Sequence, residues 1–139
     1  MQKTLAALLA TALLLAAALP ALAGGGQAQA RQAAQAWLEL LDQGRYGQAW
    51  DQASPLLQKN ISRAEWESRL RRLAAKTGPA GQRKLLRSQA MTNPPDAPPG
   101  DYVLLIYAPG FPNSPMILEQ VALRRGSGGR WRVAGYILK

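Results

Sequence analysis

A chain of 139 residues is one domain's worth of polypeptide, and its 17 lysines and arginines against 8 carboxylates give a formal charge of +9. It holds no cysteine and no histidine, which excludes disulfides, thiolate and imidazole metal sites, and the Ser-His-Asp and Cys-His catalytic sets. Eight scattered carboxylates are thin material for an all-oxygen metal site, and "RGSGGR" lacks the Lys-Ser/Thr and helix of a phosphate loop, so neither metal nor cofactor is expected.

The first 23 residues read as a signal peptide. Lys3 is a short positive region, and Leu5 to Leu19 is an unbroken run of Leu, Ala and one Thr. Pro20 breaks the run, and Ala21-Leu22-Ala23 matches the small-x-small rule for cleavage after Ala23. The expectation is a periplasmic or secreted protein with no transmembrane anchor after cleavage. Leaving out Lys3 lowers the charge from +9 to +8. An exported protein leaves the nucleic-acid compartment, so no nucleic-acid partner is expected; the excess charge suits an anionic envelope component.

Residues 24–32 read as a flexible lead-in, and 33–139 as a single α+β domain. In "ARQAAQAWLELLDQG", Ala34, Trp37, Leu38 and Leu41 fall at the spacing of one helical stripe, and Gly44 is placed to end it. Tyr46, Ala49, Trp50 and Ala53 repeat the spacing in a shorter helix that Ser54-Pro55 stops. "SRAEWESRLRRLAAKTG" is a third helix. Ser62 and Glu65 make a capping-box pattern at its start, and Trp66, Leu70, Leu73 and Ala74 make its stripe.

The pattern then becomes strand-like. "QRKLLRSQAMT", "DYVLLIYA", "SPMILEQVALRR" and "GRWRVAGYILK" are separated by "NPPDAPPG", "PGFPN" and "GSGG", each short enough for an antiparallel connection. Helices first and strands second predict α+β: N-terminal helices packed on a four-stranded antiparallel meander. Alternation in the last strand puts Trp131, Val133, Gly135 and Ile137 toward the helices, and Arg130, Arg132, Ala134 and Tyr136 toward solvent. In the third strand Glu119 falls on the apolar side, which calls for a position at the sheet margin or an arginine partner.

The aromatic residues Trp37, Trp50, Trp66, Tyr107 and Trp131 are core residues, or line a pocket between helices and sheet that takes a small apolar ligand. Asp42, Asp51 and Glu119 are the carboxylates near such a pocket. No catalytic residue stands out. Arg69, Arg72 and Lys76 on the third helix, with Arg130 and Arg132 on the last strand, are candidates for a basic surface. A non-catalytic binding or interaction module and a small enzyme with a buried carboxylate both stay open.

"AWLELLDQGRYGQAWDQAS", "SRAEWESRLRRL", "GDYVLLIY" and the closing "GRWRVAGYILK" resemble the exported bacterial family called domain of unknown function 4019. The most specific parts are the Asp-x-Gly-x-Tyr-x-x-x-Trp run at Asp42–Trp50 and Trp-Arg-Val-x-Gly-Tyr at Trp131–Tyr136. The third strand departs from the family's more polar, threonine-rich pattern. The resemblance implies no established activity and brings no catalytic residues. The layout also resembles nuclear-transport-factor-2-like, cone-shaped domains at the level of fold.

Overall fold

The computed structural model describes residues 26–139, so the signal-peptide reading lies outside the described residues. Helix α1 covers 26–42, followed by α2 (Tyr46–Gln52), α3 (Pro55–Asn60) and α4 (Arg63–Thr77). Strands β1 (Lys84–Thr92), β2 (Asp101–Ala108), β3 (Glu119–Arg125) and β4 (Trp131–Leu138) form one antiparallel sheet in the order β1-β2-β3-β4. This is the α+β meander expected from the order of the sequence patterns.

The helix ends follow local chemistry. After α1 the amide of Arg45 donates to Leu40 O and that of Gly44 to Leu41 O, at 2.8 and 3.0 Å. This paired closure puts its glycine in the left-handed region, and Gly44 has φ 71°. Ser54 caps α3 by accepting from the Leu56 amide, with Pro55 at the first helical position. Ser62 caps α4 by accepting from the Glu65 amide at 3.2 Å.

Residues 26–32 are helical, not a flexible lead-in. Gln27-Ala-Gln-Ala-Arg-Gln32 is rich in good helix formers. Ala30 sits one turn before Ala34 and is fully buried with it, which extends the apolar stripe of α1 backward.

The core lies between the helices and one face of the sheet. Ala34, Trp37, Leu38 and Leu41 of α1, and Trp66 and Leu70 of α4, pack on Val103, Leu105, Val121, Leu123 and Val133. Each buried leucine or valine contributes about 1.5–3 kcal/mol relative to exposure. The sheet is also stitched to the helices at its edge, where the Ser54 amide donates to Val133 O across 2.8 Å.

The last strand corrects the expected facing. Leu123 pairs with Val133 but Ala122 pairs with Gly135, so Ala134 is an extra residue in β4. A bulge of one residue shifts the two-residue period and turns every later side chain to the other face. Trp131 and Val133 therefore point toward the helices as expected. Beyond the bulge, Tyr136 points inward and Ile137 outward, the reverse of simple alternation; Ile137 is 56 % exposed.

Candidate functional site

Glu119 opens β3 on its inner face and is 0 % exposed. A carboxylate there needs compensation, and Arg83, just before β1, supplies it. Its Nε donates to Glu119 Oε1 at 2.6 Å and its Nη2 to Oε2 at 3.3 Å. The other edge of the guanidinium grips Asp42 at the end of α1, with Nη1 to Oδ2 at 2.6 Å and Nη2 to Oδ1 at 2.8 Å. Bidentate geometry of this kind is the strong form of the Arg–carboxylate pair. One arginine thus ties the helix layer to the sheet.

Tyr136 completes the cluster. The bulge at Ala134 brings it inward, and its hydroxyl donates to Glu119 Oε2 across 2.5 Å. Its ring packs against Trp37 and Trp66, with centroids 5.5 and 6.2 Å away. Burial, then the charge and hydrogen bond of Glu119, push the Tyr136 hydroxyl well above the usual tyrosine range. Burial works against the charge on Arg83, but its hydrogen bonds to Asp42 and Glu119 outweigh it and raise its pKa. Tyr107, opposite Glu119 on β2, is also raised, first by burial and then by the Glu119 charge.

A cavity of about 220 Å³ opens against this cluster. Its walls are Leu41 and Tyr46 from the first two helices, Leu70, Leu73 and Ala74 from α4, and Phe111 and Leu138. Asp42, Arg83, Glu119 and Tyr136 form its polar end. The lip is held by the backbone: the Asn113 amide donates to Thr77 O at 3.1 Å, and the Gly81 amide to Pro109 O at 2.9 Å. Among the described residues no three carboxylates come together as metal ligands do.

The five aromatic residues expected around a pocket are dispersed. Trp37 and Trp66 are buried and stack on each other with centroids 5.7 Å apart. Their indole N–H groups donate to Ala49 O and Tyr46 O, both at 2.8 Å, and half-buried Trp50 donates to Ile61 O at 2.9 Å. Trp131 and one edge of Trp37 border an open hollow between α1 and β4, walled by Asp51, Gln52, Arg130 and Arg132. Tyr107 borders another, beside Arg31, Glu39 and Gln82. The cavity at the ion cluster is instead lined by Tyr46, Phe111 and Tyr136.

Of the three candidate carboxylates, Asp42 and Glu119 meet at Arg83. Asp51 does not: it pairs on the surface with Arg63, at 3.0 and 3.1 Å, which lowers its pKa. Arg69, Arg72 and Lys76 are exposed on α4, whose buried side faces the core, whereas Arg132 lies on the outer face of the sheet beside Arg124, with exposed Arg130 just before β4. The candidate basic residues therefore fall on opposite sides of the domain.

Arg83, Tyr136, Tyr46 and Phe111 were not singled out from the sequence. One signal bears on Arg83: Glu119 on the apolar side of the third strand calls for a position at the sheet margin or an arginine partner, without saying which arginine.

The family model described as "Protein of unknown function (DUF4019)" matches residues 33–136. The chain belongs to this family. The match takes in α2 to α4 and β1 to β3, the last ten residues of α1, the first six of β4, and every residue of the Asp42–Arg83–Glu119–Tyr136 cluster. Comparison with curated proteins and with solved structures finds no match.

Proposed function

We propose that this protein is an exported, non-catalytic binding module that holds a small, mainly apolar ligand in the cavity beside Arg83. The observation that carries the reading is the combination of apolar walls with a polar end whose groups already satisfy one another. Both oxygens of Glu119 are engaged by Arg83 and Tyr136, and both oxygens of Asp42 by Arg83. A general acid or base must exchange its proton with substrate, and a carboxylate clamped on both oxygens is poorly placed to do so. The cluster is better suited to orient one hydrogen-bonding group of a ligand whose remainder is apolar. The helix layer over a meander is compatible with a nuclear-transport-factor-2-like cone.

Ligand binding is tested by titrating the protein with small cyclic alcohols and alkylbenzenes while recording amide NMR shifts. Shifts confined to Leu70, Leu73, Phe111 and Leu138, abolished when Leu73→Trp fills the cavity, support the reading. A titration in which no cavity residue responds refutes it. Export rests on Lys3, the Leu5–Leu19 run and Ala21–Ala23. Protein recovered from the periplasm is expected to have the intact mass of a chain beginning at Gly24; a membrane-held product beginning at Met1 contradicts export.

A further inference from the structure

The sheet has a second face, turned away from the helices. Strand pairing lays it out in cross-strand rows. Arg87, Ile106, Gln120 and Ile137 form one row, and Gln89, Leu104, Ala122 and Gly135 the next. Met91, Tyr102, Arg124 and Arg132 form a third. At the other end Lys84 pairs with Ala108, and Leu118 exchanges both backbone hydrogen bonds with Lys139, at 2.8 and 2.9 Å. These rows carry Lys84, Arg87, Arg124, Arg132 and Lys139, and no Asp or Glu side chain. None of the five forms an ion pair among the described residues, although Arg124 lies over the Tyr102 ring.

The arrangement is as informative as the sign. Lys84 and Arg87 lie on the β1 edge, Arg132 and Lys139 on the β4 edge, and Arg124 toward one end. Leu104, Ile106, Ala108, Leu118 and Ala122 occupy the middle. Ile137 on this face is 56 % exposed, and two further large apolar side chains are exposed, the bulged Leu86 of the β1 edge at 50 % and Met116 in the β2–β3 connection at 89 %. A second copy docked face to face would oppose two such sets of cations with no acidic side chain between them. Charge therefore argues for an anionic occupant, and the apolar middle for one that also accepts hydrocarbon.

We propose that the outer face of the sheet docks on an anionic lipid surface, its rim of cations meeting headgroup phosphates and Ile137, Leu86 and Met116 entering the acyl boundary. Attraction between basic residues and anionic lipid adds to burial of apolar area in this mode of binding. The proposal rests on the surface chemistry of the sheet and is independent of the cavity.

The test is co-sedimentation of the signal-cleaved protein with phosphatidylglycerol–phosphatidylcholine vesicles and with phosphatidylcholine alone. Binding is expected to the anionic vesicles only, and to fall at least about tenfold when salt rises from 0.1 M to 1 M, where the Debye length shortens from about 10 Å to about 3 Å. Arg87→Glu with Arg132→Glu should lower the partition coefficient at least about tenfold, whereas Arg69→Glu with Arg72→Glu on α4 should change it less than about threefold. Because the chain has no cysteine, Ile137→Cys and Arg69→Cys each accept one polarity-sensitive fluorophore. This second readout needs no charge reversal: emission should shift to the blue on anionic vesicles from position 137 and not from 69. Equal binding to neutral vesicles, no binding to anionic ones, equal loss from the α4 pair, or equal shifts from both labels would overturn the proposal. Failure to bind vesicles would leave an acidic protein as the occupant of the face.

Discussion

The Tyr136 hydroxyl donates to Glu119 Oε2 across 2.5 Å, from the neighbouring strand. Glu119 pairs directly with Leu138, so Tyr136 reaches it diagonally, two residues away on the same face of β4. This contact exists because the extra residue Ala134 turned the end of the strand over. It links the aromatic trio of Trp37, Trp66 and Tyr136 to the ion cluster of Arg83, Asp42 and Glu119.

Tyr136→Phe keeps the ring and deletes the donor. A hydrogen bond to a charged group contributes about 1.5–3 kcal/mol, so urea unfolding should report a loss of that size. A change below about 0.5 kcal/mol would show that Arg83 alone satisfies Glu119.

Alkaline stability should carry the same signature. The Tyr136 hydroxyl is raised above its ordinary value of 10.0, first by burial and then by Glu119. Below about pH 10 both folded and unfolded chains hold this proton, and the full stabilisation is present. Above it the unfolded chain releases the proton while the folded chain keeps it, so stability falls as pH rises. Urea midpoints measured from pH 8 to about 11 should decline in the native protein and decline less steeply in Tyr136→Phe, where Tyr107 is still raised. A native midpoint that stays level through this range contradicts the raised value.

Arg83→Ala should be far more damaging than a surface truncation. It strands Glu119, whose side chain is 0 % exposed, without its cation. Breaking a buried pair from one side costs about 3–5 kcal/mol, while replacing both partners with apolar groups is often near neutral. Arg83→Met combined with Glu119→Leu should therefore recover part of the stability lost in Arg83→Ala, the Tyr136 hydroxyl being left without its acceptor. Equal losses in the single and double variants would mean that the arginine matters only through Asp42.

Among the tryptophans, Trp66 should matter more than Trp131. Trp66 is 3 % exposed, stacks on Trp37 and donates to Tyr46 O. Trp66→Ala is expected to cost about 3–5 kcal/mol in chemical denaturation. Trp131 is half-buried at the start of β4, beside an open hollow. Its truncation should cost clearly less, and the reverse order would place the centre of the core near α1 and β4 rather than beneath α4.

Two glycines at helix ends should respond differently to alanine. Gly44 and Gly78 both have positive φ, 71° and 74°. A Cβ on Gly44 would meet nothing within 4 Å, so Gly44→Ala should cost only the left-handed strain, about 1–2 kcal/mol. A Cβ on Gly78 would lie 2.9 Å from Pro112 Cγ, at the lip of the cavity. Gly78→Ala should exceed the loss at Gly44, as measured by thermal melting, and should displace the Phe111–Asn113 segment in NMR spectra. Equal melting shifts would show that Pro112 yields freely.

What the sequence determined by itself was local. Residue spacing, caps and turn residues set three of the four helices, all four strands, and the meander order; Ser54-Pro55, which reads only as the stop of α2, also caps and starts α3, a helix with too few residues to show a period. Glu119 announced itself as a misfit because two-residue alternation put a charge where only apolar side chains fit. Tertiary structure decided the rest. Arg83 finds Glu119 and Asp42 at sequence separations of 36 and 41, distances over which no periodicity carries information. The bulge at Ala134 arises from the register of β4 against β3, and that register reverses the facing of Tyr136 and Ile137. One pairing step thus placed a tyrosine beside the buried carboxylate and an isoleucine on the open face, because a strand's facing depends on what it pairs with as well as on its own alternation.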